Sequence, residues 1–199
     1  MAILGTLLKN KRAGEARLAW NFAALAGPEA LDLRSTDFEH NGTIPAAHAG
    51  RRVGGENRSP TLAWHGTPPE TAQLLLIVED VDSPTRSPFV HCLCLIEPEL
   101  DTLPAGALND AGSIPGVRVL RPGMGRGYRG PEPIKGHGMH RYVFQLFALA
   151  TSITSAVGGA GLDTARPRAV LAAARGPILA CGQLNGLYSR GHDTTEDQA

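Results

Sequence analysis

Gly127-Tyr-Arg-Gly-Pro-Glu-Pro-Ile-Lys-Gly-His-Gly-Met-His-Arg-Tyr142 leads without a break into Tyr142-Val-Phe-Gln-Leu-Phe-Ala-Leu149. The first segment is a loop stiffened by glycine and proline; the second reads as a strand. Glycine lets backbone N–H groups approach a ligand, and proline fixes the loop before anything binds. The loop carries His137, His140, Lys135, Arg129, Arg141 and two tyrosines against a single carboxylate, Glu132. A rigid mouth for an anionic or polar small molecule, held against a sheet, is the natural reading.

Further strands lie upstream. Gln73-Leu-Leu-Leu-Ile-Val-Glu79 is apolar on both faces and therefore central in its sheet. It ends at the turn sequence Asp80-Val-Asp-Ser-Pro84. Phe89-Val-His-Cys-Leu-Cys-Leu-Ile96 is a second strand whose polar exception is His91. Shorter strands are expected at 31–35 and 61–64, and a last one over 178–188. Residues 41–60 and 100–122 read as loop. The best helix candidate is 165–175, with Pro167 near its start and Gly176 at its end. Residues 1–25 read as an amphipathic helix or two short turns, with Leu7, Leu8, Trp20 and Phe22 on the apolar side. Many short strands joined by short connections predict a mainly β fold, an antiparallel sandwich with one or two peripheral helices. One domain spans 1–199, with an N-terminal appendage (1–28), a core (29–190) and a disordered tail (191–199).

Composition bounds function. Lys plus Arg and Asp plus Glu number 19 each, so the net charge is zero and a broad nucleic-acid surface is not expected. No stretch reaches membrane-spanning length. The N-terminus is apolar first and basic second, the reverse of a secretory signal, which predicts a cytoplasmic protein. Cys92, Cys94 and Cys181 lie in apolar runs and read as small buried hydrophobes.

Residues two apart on a strand share a side. Asp80 pairs in this way with Asp82, and His140 with Tyr142, while Arg141 faces away. Two carboxylates, the imidazoles of His91 and His140, and the Tyr142 phenol could thus meet at one set of strand ends. A carboxylate on one nitrogen of a histidine would leave the other nitrogen to donate toward an anion. His137 reads as a loop residue, and Lys135 as a rim charge.

Ser59-Pro-Thr-Leu-Ala-Trp64, Asp80-Val-Asp-Ser-Pro84, Val90-His91 and Gly136-His-Gly-Met-His-Arg-Tyr-Val-Phe144, in this order, resemble the phosphatidylethanolamine-binding protein family. The similarity is greatest to its bacterial, Raf-kinase-inhibitor-like branch, and covers roughly residues 30 to 190. The resemblance implies a β-sandwich with a small anion-accepting pocket lined by Asp80, Asp82, His91, Pro133, His140 and Tyr142. It further implies a homodimer, and inhibition of a kinase or protease partner that it does not name. A cis peptide before Pro84 would fit it. Two departures stand out. Cys92 replaces a bulky aromatic, and Glu132 adds a carboxylate at the rim beside Pro133, which Lys135, Arg129 or Arg126 would have to offset.

The expectation is a non-enzymatic binding protein for a small phosphorylated or carboxylated ligand, with no cofactor, metal, nucleic acid or stable membrane insertion. A cofactor-free enzyme using a His–Asp or His–Glu acid–base pair (Glu132 with His140) is the alternative. A metal-assisted hydrolase comes third, since His137 and His140 sit at a loop-to-strand junction and no Cys or Glu completes a familiar ligand set.

Overall fold

A computed structural model describes residues 2–109 and 114–190. The expected tail, 191–199, lies outside the described residues.

Among the described residues, nine strands form two sheets. The larger takes the order β2 (Gly42–Thr43), β9 (Ile178–Ser189), β8 (Met139–Leu149), β4 (Gln73–Asp80), β5 (Phe89–Ile96) and β7 (Val117–Val119). The smaller takes the order β1 (Asp32–Arg34), β3 (Leu62–His65) and β6 (Thr102–Leu103). Pairing is antiparallel except between β2 and β9, which run parallel. β4 is central, as its two apolar faces require. One face, with Leu74, Leu76 and Val78, packs with Phe144, Leu146, Cys92 and Cys94 against Leu33, Leu62, Trp64 and Leu103 of the small sheet. The other face, with Leu75 and Ile77, packs with Phe147 and Leu93 under Leu25, Leu162, Val170 and Leu171. All three cysteines are free and buried.

Several expectations need correction. The helix read over 165–175 is one turn, α2 (Pro167–Leu171). The loops at 41–60 and 100–122 contribute strands β2, β6 and β7, of two or three residues each. The last strand, β9, lies where expected, over Ile178–Ser189, but at 12 residues it is long and not short. The N-terminal segment holds helix α1 (Ala2–Leu8) and two single 3-10 turns over Ala19–Asn21 and Ala23–Leu25. Leu7, expected on an apolar side, is 76% exposed. None of the described peptide bonds is cis, so Ser83–Pro84 is trans.

Candidate functional site

The site lies where β4, β5 and β8 end together. Asp80 closes β4 and stands opposite Tyr142 of β8 on one side and Phe89 of β5 on the other. Between β4 and β5 the register jumps, with Val78 opposite Cys92 and Glu79 opposite Val90, so His91 is the extra residue of a bulge. Bulges re-aim side chains. This one sets the His91 ring edge-on to Tyr142, with ring centroids 5.0 Å apart.

Each ring nitrogen of His91 has a distinct situation. Nδ1 lies 2.7 Å from the Arg129 carbonyl, which can only accept, so Nδ1 carries the hydrogen. Nε2 stands 4.0 Å from Asp80 Oδ2, beyond hydrogen-bond distance. Burial lowers the pKa of His91, opposed by the Asp80 charge, so the surrounding protein favours the neutral ring. Tyr142 is 1% exposed, and its hydroxyl has no hydrogen-bond partner among the described residues. Burial also pushes the phenol pKa far up, with the Asp80 charge adding to it, so Tyr142 keeps its proton and remains a donor.

His140 is committed at both nitrogens. Nδ1 meets Asp80 Oδ2 at 2.8 Å, and Nε2 meets His137 Nδ1 at 2.7 Å. His137 in turn donates from Nε2 to the Leu8 carbonyl at the end of α1, 2.8 Å away. The partners fix the proton count. With Asp80 as a carboxylate, these two rings share three N–H protons, and the extra positive charge balances Asp80. Placing one of those protons on Asp80 instead gives the same neutral total. The expectation of a free His140 nitrogen is therefore corrected by the contact with His137. His137, read as a loop residue, is 1% exposed and belongs to the cluster. Its flanking glycines, Gly136 and Gly138, adopt φ of 81° and 100°, a conformation that turns the loop sharply and suits residues without a Cβ.

The remaining candidates are placed differently. Asp80 Oδ1 accepts the Asp82 amide at 2.9 Å. Asp82 itself binds the Arg141 amide at 2.8 Å and pairs with Arg12 at 2.6 Å, so it fastens the chain at the rim. Arg141 faces away, as expected, and pairs with Glu15. Pro133 is buried in the loop between Arg129 and His137. Glu132 is turned toward Arg129, at 3.3 Å, and the Arg52 amide, at 3.4 Å, with no hydrogen bond to His140 among the described residues. Arg129 thus offsets the added rim carboxylate. Among the described residues no group of three His, Cys, Asp or Glu side chains is placed to hold a metal ion.

Asn57 and Gly130 complete the picture. Asn57, at φ 57°, accepts the Gly130 amide at 2.7 Å and donates to the Tyr128 carbonyl at 3.0 Å. The Gly130 Cα lies so close to the 48–50 backbone that any Cβ would overlap the His48 carbonyl. Asn57 therefore pins the loop whose Arg129 carbonyl orients His91. Sequence reading missed it, and an asparagine just before Arg58-Ser-Pro in a Gly-rich loop was its local signal.

The model of the phosphatidylethanolamine-binding protein family matches residues 34–189, and the chain belongs to that family. A UPF0098 protein of Methanothermobacter thermautotrophicus is 35% identical over 163 residues, covering 81% of this chain and all of that one. YbcL of Escherichia coli, described as a member of the mammalian PEBP family, superposes with a TM-score of 0.70 at 25% identity, over 80% of this chain and 98% of its own. LppC of Mycobacterium tuberculosis, 29% identical over 160 residues (79% of this chain, 74% of that one), carries the name of a lipoprotein. No described helix is long and apolar enough to cross a membrane. The family match begins at residue 34, so Leu8 and Arg12, which meet His137 and Asp82, lie outside it.

Proposed function

We propose that this is a non-enzymatic binding protein whose site takes a small phosphorylated or carboxylated anion through the Tyr142 hydroxyl and His91 Nε2. One observation carries the reading: a buried phenol O–H that, like Nε2 of the imidazole beside it, has no hydrogen-bond partner among the described residues. A buried donor left unsatisfied costs about 1–3 kcal/mol, which a bound acceptor would recover. Asp80 and His140 support the site rather than touch the ligand. Asp82, Glu132 and Pro133 shape its rim.

Charge follows the same logic. Asp80 and the His137–His140 pair already balance, so an incoming anion draws its countercharge from protonation of His91. Anion binding is then coupled to proton uptake, and affinity falls as pH rises above the bound-state pKa of His91. The test is calorimetric titration with inorganic phosphate and with acetate at pH 6 and pH 8. Binding that is tighter at pH 6 supports the reading; equal affinity at both, or none at either, refutes it.

The acid–base alternative would need His140 Nε2 to face a substrate, and it faces His137. A cytoplasmic location and a homodimer remain part of the proposal, checked by cell fractionation and sedimentation.

A further inference from the structure

The side of the site next to His137 and Asp82 is closed by residues 5–14. The Leu8 carbonyl receives His137 Nε2–H at 2.8 Å. Arg12 pairs with Asp82 at 2.6 Å and donates to the Met139 carbonyl at 2.9 Å. Ala13 and Gly14 donate backbone N–H groups to Ser83 and Val81, at 2.9 and 2.8 Å. Gly5 lies flat on the loop: a Cβ there would overlap the Lys135 carbonyl and come within 2.9 Å of the His137 nitrogen.

These ties are polar. Leu7, Lys9, Lys11, Arg12 and Gly14 are exposed. The next stretch is held in another way. Leu18, Ala19 and Leu25 are buried, Ala19 N–H binds Glu79 at 2.8 Å, and Trp20 N–H binds Gln145 at 2.7 Å. Gly14, at φ 71°, stands between the two stretches and suits a hinge. A segment with little buried apolar surface opens at far lower free energy than one rooted in the core.

We propose that residues 5–14 are a displaceable strap over the site and that His137 is the positioning residue that latches it. His137 joins the strap carbonyl to the Asp80–His140 pair, so the state of the site and the position of the strap are linked. An anion that binds the open site better than the closed one shifts the strap outward. That last step alone rests on the anion-binding reading above.

Amide hydrogen exchange on the full chain tests the latch without any ligand. Asn in place of His137 can reproduce a group at the Nδ1 position facing His140 but cannot reach Leu8, whereas Gln can still place an N–H at the Nε2 position. In His137→Asn, peptides covering residues 5–14 should exchange about threefold to tenfold faster, the worth of one hydrogen bond. In His137→Gln the strap should remain closer to the wild type. Peptides covering 18–25 and β4 should be unchanged in both, which also reports that the variants fold. Gly5→Val alters no site residue and should free the strap more than His137→Asn does. Equal strap exchange in the wild type, His137→Asn and Gly5→Val would overturn the proposal.

Inorganic phosphate supplies the second readout. Phosphate should speed strap exchange in the wild type and bind more tightly to Gly5→Val. Binding of equal strength to both would mean that the strap does not cover the site. No binding to either would remove the anion reading, while the ligand-free exchange data still decide the latch.

Discussion

Glu79 and Asp80 are consecutive, both buried, and on opposite faces of β4, yet they do different work. Glu79 accepts from Arg168, Ala19 and Gln145, so its carboxylate is engaged by groups of the fold. Asp80 orients His140 and stands near His91, in a cluster where the Tyr142 hydroxyl has no partner among the described residues. The same residue chemistry anchors the chain at 18–25 on one face, and on the other it orients the imidazole of the candidate site. Burial raises the pKa of Glu79, against the opposing Arg168 charge and the hydrogen bonds from Ala19 and Gln145, which is the electrostatic cost of an anchor in a dry core.

The sharpest way to break this contrast is Glu79→Ala. It strands the Ala19 N–H, Gln145 and Arg168 at once, and should destabilise the protein by about 3 kcal/mol in chemical denaturation, the range for one lost partner of a buried pair. Phosphate affinity per folded molecule should remain that of the wild type. His140→Ala is expected to cost about 2–3 kcal/mol because Asp80 and His137 both lose a partner. It should also weaken phosphate binding, so the two faces separate in the second readout and not in the first. Tyr142→Phe removes an unsatisfied buried hydroxyl, so the ligand-free protein should gain about 1–3 kcal/mol of stability while phosphate binds roughly tenfold more weakly.

The smallest effect is a pH dependence. Burial holds the His91 pKa below its ordinary value of 6.5, so the fold prefers the neutral ring. The contribution of His91 to stability is complete above pH 6.5 and is lost as pH falls from there toward its depressed folded value. Denaturation curves of His91→Gln should be flatter than the wild type in that window. A slope equal to that of the wild type would mean that another group carries the acid sensitivity.

The large-sheet strands were legible because their patterns are long. Residues 73–79 are apolar on both faces and lie between β5 and β8; 89–96 and 142–149 lie where their patterns place them. β2, β6 and β7 were hidden because two or three residues in Gly- and Pro-rich sequence carry no period. The meeting of Asp80, His91, His140 and Tyr142 was legible from the strand ends and the motifs. The occupancy of their nitrogens was not. His140 Nε2 looked free because its partner, His137, sat between glycines in an apparent surface loop, and the anchor of His137 is a backbone carbonyl 129 positions away. A carbonyl has no signature in sequence. Leu7 misled for a related reason: α1 meets the loop through the bare backbone at Gly5 and turns Leu7 outward, so its contact is not the apolar stripe of an amphipathic helix.

The most direct test compares phosphate affinity in the wild type and Tyr142→Phe at pH 6, with both melting curves recorded beside it. The phenol is predicted to supply a hydrogen bond to the anion and none to the fold, so affinity should drop about tenfold while the melting curve shifts upward. Undiminished affinity in the Phe variant would contradict it.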